Sequence, residues 1–218
     1  MREAPIHTAR ISAVQRQCSW QLRILVAAAL ALAVGSGGTT WAQTQSTAPT
    51  TDAGTKLNFP ATLGGATFER VVNYAAPPAN RADLGSSYFY STPQKMVIMV
   101  QVFDGGRRVP PGSTSPVVIG EFTNELDTVG QQVQGSGYTN FQRPAVPSSC
   151  TYGSVTFRCI TYSAITQANM RVYSKLLLTG YQQHFVKIRI DWGQSAQVQH
   201  TGADADAALQ AFIPALFR

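Results

Sequence analysis

Charged side chains are scarce in this chain. Asp, Glu, Lys and Arg make up 13% of its 218 residues, against about 25% in an ordinary soluble domain. No stretch gathers basic residues into a long run, which argues against nucleic-acid binding as the main role. The apolar run from Ile24 to Val34 is far shorter than the about 20 residues a membrane-spanning helix needs. There is no Gly-x-Ser-x-Gly elbow, no His-Glu-x-x-His pair, no calcium loop, no phosphate loop and no dinucleotide fingerprint. The glycine doublets Gly64-Gly65 and Gly105-Gly106 read as turns. Catalysis is left with a site whose carboxylates gather only in space, without a sequence trace.

What is present begins with a leader. Arg2, Arg10, Arg16 and Arg23 are opposed only by Glu3; the apolar run follows, and Gly35 to Gly38 break it. Thr40-Trp41-Ala42 then places small residues where a signal peptidase reads them. This is the order of a secretory signal spanning 1–42. The alternative, a retained anchor, is opposed by the short run and the small polar residues behind it. Cys18 precedes the run, so a lipid anchor does not fit, and the leader has no twin arginine. Removal of the leader lowers the net charge from +6 to +3, with thirteen basic and ten acidic residues left. The expected address is periplasmic or secreted.

Two cysteines remain, Cys150 and Cys159. An even pair in an oxidising compartment reads as a disulfide. The spacing is not the Cys-x-x-Cys of redox-active pairs, so the bridge is read as structural.

Residues 43–56 show no apolar period and read as a disordered linker. A single domain over 57–218 follows. Segments 67–74, 87–90 and 95–103 read as strands. In the third, Ile98, Val100 and Val102 share one face, while Val97, Met99 and Phe103 share the other. Such a strand is central and covered on both sides. Residues 107–116, with three prolines and a glycine, read as a mobile loop. A helix is expected over 118–134, with Ile119, Phe122, Leu126, Val129 and Val133 as its stripe. Glu121, Glu125 and Asp127 are read as early acids favoured by the helix dipole, and Gly135 and Gly137 as its terminators. Residues 137–149 read as irregular. Strands follow over 155–165, 171–179 and 184–192. In the last, Val186, Ile188, Ile190 and Trp192 oppose Lys187, Arg189 and Asp191, which predicts one buried and one wetter sheet face. A helix over 203–217 closes the chain, with Thr201 and Asp204 as a capping box and Pro214 kinking or ending it.

Hairpin-length connections imply antiparallel pairing, and two amphipathic helices need a surface on which to bury their stripes. The predicted class is α+β: an antiparallel sheet with helices packed on it, an α/β/α-like sandwich.

Three stretches carry a family likeness: Phe59-Pro60-Ala61-Thr62-Leu63-Gly64-Gly65, Val102-Phe103-Asp104-Gly105-Gly106, and Leu178-Thr179-Gly180-Tyr181 with His184 to Arg189. With the order of elements, these residues give a chain that resembles the PsbP/Mog1-like fold over about 57–218. More narrowly it resembles the exported proteobacterial proteins of that fold. Members of the fold are mostly accessory or adaptor proteins, photosystem subunits in one branch and a nuclear-transport cofactor in another. No binding motif of either branch is matched, so the resemblance implies a non-enzymatic role and no particular partner.

The candidate binding residues are Arg107, Arg108 and His184. The arginines follow a turn and suit carboxylate or phosphate partners, although a solvated loop would look the same. His184 suits a base or ligand, or simple packing at the sheet edge. His200, Asp204 and Asp206 have metal-ligand chemistry, but the acids equally suit a helix start; no metal or cofactor is assigned. Tyr88, Phe89, Tyr90 and Tyr138 line a groove or fill the core. Three functions follow: an exported, non-catalytic envelope accessory or adaptor with a protein partner, a small-ligand-binding protein, and an enzyme with an unrecognised site.

Overall fold

In a computed structural model, residues 50–194 and 199–218 are described; the expected leader, the expected cleavage point after Ala42 and residues 43–49 of the expected linker lie outside them. Ordered structure starts earlier than composition implies. The strand β1 (Thr50–Thr51) pairs antiparallel with β2 (Asn58–Phe59). Between them the Asp52 carboxylate accepts from the Thr55 amide and hydroxyl at 2.8 and 2.7 Å. A short polar segment is thus folded by one aspartate turn rather than by apolar periodicity.

Nine further strands form one sheet: β3 (Thr62–Leu63), β4 (Ala66–Asn73), β5 (Ser86–Ser91), β6 (Val97–Phe103), β7 (Thr139–Gln142), β8 (Ser148–Tyr152), β9 (Val155–Ile165), β10 (Arg171–Tyr181) and β11 (His184–Gln194). Their spatial order is β3-β4-β5-β6-β11-β10-β9-β7, with β8 also on β9. Each pairing is antiparallel. β6 is central, as its two-sided apolar pattern predicts. Gln182 and Gln183 both have positive φ (48° and 65°), the two-residue turn that joins β10 to β11.

Two helices cover opposite faces. α2 (Gly202–Leu216) buries Ala205, Leu209, Phe212, Ile213 and Leu216 against Tyr90, Ile98, Val100, Val186, Ile188, Ile190 and Trp192. α1 (Pro116–Gly135) buries Val118, Phe122, Leu126, Val129 and Val133 with Ile160, Leu176, Leu178, Phe103 and Phe185. The α+β class therefore stands. No helix among the described residues is long and apolar enough to cross a membrane.

Several local expectations are corrected. α1 begins two residues early because Ser115 caps it, its hydroxyl accepting from the Val118 amide, and Pro116 fits the first turn. Its stripe starts at Val118, fully buried, while Ile119 is 37% exposed; both lie within helical reach of Phe122, and only packing selects between them. Glu121, Glu125 and Asp127 lie beyond the first turn, which holds no acid, so the dipole does not account for them. Gly135 is the last helical residue, and Gly137 (φ +71°) makes the stop. The Tyr138 amide reaches Val133 O and the Gly137 amide reaches Gln134 O, a Schellman closure. The segment expected to be irregular holds β7 and part of β8, polar strands that exist because β9 supplies their partners. The face of β11 expected to be wetter is enclosed at one position: Lys187 keeps only 5% of its surface, because α1 lies beside it, while Arg189 and Asp191 stay half-buried.

Candidate functional site

The residues 104–115 join β6 to α1 as a strap across one end of the sheet. It is pinned, not mobile. The Val109 amide donates to Gln183 O, and Gly112 and Gly180 exchange two main-chain bonds of 2.9 and 3.0 Å. Val109 and Ser113 are buried. Arg107, Arg108, Pro110, Pro111 and Gly112 between and beside them are exposed. Gly180 makes this possible: a Cβ there would stand 1.9 Å from Pro110 O. At the start of the strap the Gly106 amide donates to Asp104 Oδ1 and the Gly105 amide to Asp83 O.

The two candidate arginines have different surroundings. Arg107 donates to Glu121 of α1 at 2.6 Å, and its guanidinium lies 5.2 Å from the Phe185 ring centre. It staples the strap to helix and sheet. Arg108 is exposed and enters none of the ion pairs among the described residues. His184 starts β11 at the same end. Its Nδ1 donates to Gln182 O at 2.7 Å, and the ring lies against Gly54, where an added Cβ would fall 2.5 Å from Nε2. That is the packing of a histidine at the end of an interior strand, beside the β1–β2 turn. The structure thus brings Arg107, Arg108 and His184 to one end of the sheet without making one site of them.

Behind the strap runs a polar seam that sequence reading did not single out. Lys187 of β11 donates to Glu125 of α1 at 2.7 Å. Two residues on, Arg189 pairs with Asp191 at 3.1 Å, and Ser174 donates to the same carboxylate at 2.6 Å. Burial works against the Arg189 charge, but Asp191, Tyr162 and Glu125 outweigh it and hold its pKa above the ordinary value. Burial also raises the Tyr162 phenol and the Tyr74 phenol, which lies near Ser87 and Arg189. Glu121 is raised too, by burial and by Glu125, against the pull of Arg107. The seam balances Lys187 and Arg189 against Glu125 and Asp191. Its only sequence signal was the polar alternation of β11, which looked like a solvated face.

The other candidates are engaged elsewhere. Thr201 and Asp204 make the predicted capping box, and their hydrogen bonds lower the Asp204 pKa. Asp206 accepts from Tyr152 and from Lys175. Among the described residues no group of three or more His, Cys, Asp or Glu gathers in a way that would hold a metal. Tyr88 and Tyr90 lie in the α2-side core, Phe89 on the opposite face and Tyr138 at the end of α1, so the four aromatics line no common groove. Cys150 and Cys159 are joined as a disulfide that ties β8 to β9.

A cleft of about 280 Å³ lies on the α2 face, between the β3–β4 turn, the β5–β6 turn and the start of α2. Gly64, Gly65, Thr92, Gln94, Ile98 and Ala207 are among its walls. No family model matches this chain, and no curated protein matches it.

Proposed function

We propose that this chain is an exported, non-catalytic accessory protein of the cell envelope, and that it binds a protein partner through the strap between β6 and α1. The observation that carries the reading is the strap itself. A loop that exposes Arg108, Pro110 and Pro111 while main-chain bonds hold it to the sheet loses little conformational freedom on binding, and such loops on rigid scaffolds are where binding residues concentrate. Export is supported by the order of residues in 1–42 and by the Cys150–Cys159 bridge, since disulfides persist in oxidising compartments. The reading also draws on the PsbP/Mog1-like resemblance of the sequence, a fold whose members act mostly as accessories. Fold likeness alone does not assign a role.

The test is charge reversal at Arg108. Tagged wild-type protein and Arg108→Glu, each expressed in its own cell envelope, are cross-linked and the captured polypeptides compared. The expected result is loss of a partner that the wild type captures, with the melting temperature changed by no more than about 2 °C. Unchanged capture removes the strap from the reading. Intact mass of the envelope protein tests export: a chain beginning at Gln43 supports it, and a retained leader overturns it.

The second reading is small-ligand binding, favoured by the cleft beside α2, which lies near the lower end of the about 300–1,000 Å³ typical of ligand sites. A thermal-shift screen of envelope metabolites tests it, because a ligand bound only to the native state raises the midpoint. A hit whose shift survives Ala207→Trp would place the ligand elsewhere.

A further inference from the structure

On the sheet face that carries α1, β4, β5 and β6 hold a separate buried cluster of Val72, Phe89 and Met99, with Tyr74 and Val97 packed against it. No helix residue enters this cluster; side chains of the sheet itself close it. The register sets Arg70, Phe89, Met99 and Arg189 in one row across β4, β5, β6 and β11, so all four point to the same face. The Arg70 guanidinium reaches inward and lies 4.1 Å from the Phe89 ring centre, covering the ring with a cation. In the adjoining row the Ser87 hydroxyl donates to the Tyr74 oxygen at 3.4 Å, which leaves the Tyr74 hydroxyl hydrogen free to donate. Burial raises the Tyr74 phenol, while Ser87, Arg189 and Arg70 draw it back, so both guanidinium groups act on that hydroxyl.

Charge on this face is matched except at one position. Lys187 has Glu125, and Arg189 has Asp191. Arg70 enters none of the ion pairs among the described residues. Unlike Arg81, Arg107, Arg171 and Arg189, it makes no side-chain hydrogen bond among them either. Its neighbour Glu69 is exposed. Burial lowers the Arg70 pKa against the weaker pull of Glu69 and Tyr74, as befits a cation that has lost water without gaining a carboxylate. A guanidinium anchored over an aromatic ring keeps its fork of N–H donors pre-set for two parallel bonds to a carboxylate or phosphate.

We propose that this half of the sheet face binds a small ligand through an oxyanion, a carboxylate or phosphate group, which Arg70 receives in its N–H fork and the Tyr74 hydroxyl supports. None of these residues belongs to the strap or to the cleft beside α2, so the site can hold or fail independently of either. The probes are inorganic phosphate and succinate, titrated separately into the protein at constant ionic strength while NMR follows the arginine Nε–H and backbone amide signals. Saturable shifts at the Arg70 Nε–H and at the Tyr74 and Phe89 amides are expected, and the probe that produces them tells phosphate from carboxylate. Arg70→Gln should weaken that binding about tenfold or more, and Tyr74→Phe about threefold. Arg70→Lys keeps the charge and the cover over Phe89 but loses the fork, so it should also bind more weakly; it carries the comparison if Arg70→Gln does not fold. No saturable shift with either probe, or undiminished binding in a folded Arg70 variant, overturns the proposal.

Discussion

Lys187 meets the flank of α1 at Glu125, 2.7 Å away. Desolvation makes such a pair weak as a source of stability, yet costly to break from one side. Glu125→Ala should therefore destabilise the fold by about 3 kcal/mol, because it strands the Lys187 ammonium. Lys187→Met combined with Glu125→Leu removes both charges and should cost less than about 1 kcal/mol. Urea unfolding of both variants checks the asymmetry; equal losses would mean that Lys187 reaches solvent once released. Cys159 is fully buried in the α2-side core, and its bond to Cys150 closes a short loop. The pair Cys150→Ala/Cys159→Ala should lower unfolding free energy by roughly 2.5 kcal/mol in the chain-entropy account, read from the urea midpoint of the oxidised proteins.

Among the elements, the strap depends on a single absent side chain. Gly180→Ala places a Cβ against Pro110 O, so the Gly112–Gly180 bonds must open. Hydrogen exchange should speed up at the Val109 and Gly112 amides while the α1 amides from Phe122 onward keep their protection. Unchanged protection at Gly112 would show that the sheet shifts instead of the strap. For α2, Asp204 is the acid whose pKa is lowered by the amide and hydroxyl of Thr201. Its contribution is complete above the ordinary carboxylate range and is lost as pH falls through the lowered value. Glu121 acts in the opposite sense. Its raised pKa favours the folded state in acid, and that advantage fades as pH rises through the raised value. Asp204→Asn should therefore be less stable than wild type at neutral pH, with the gap narrowing in acid. A constant gap across the melting-temperature profile would contradict the capping assignment. The helices and the long strands were legible because each carries its own period. β7 and β8 were not: Thr139–Gln142 and Ser148–Tyr152 are mostly exposed polar segments that become strands through the backbone groups of β9.

For the whole molecule, the sheet separates two cores. The α1-side core includes Ile160 and Phe122, and the α2-side core includes Ile213 and Phe212. Ile160→Val and Ile213→Val should each cost about 0.5–1.5 kcal/mol, and together should add within about 0.5 kcal/mol, since they share no partner. A larger coupling, measured in a double-mutant cycle, would mean that the sheet transmits strain between its faces. The amino-acid order by itself determined the central place of β6, the cysteine pair and the α+β class. Each of these is written in local periodicity, composition or count. Only the tertiary structure decided that Lys187 faces Glu125 rather than water, that Val118 and not Ile119 begins the α1 stripe, and that the proline-rich strap is fixed while exposing Arg108. Those outcomes depend on which distant segments meet across the sheet, and periods of two or of 3.6 residues state which way a side chain points but not what awaits it there.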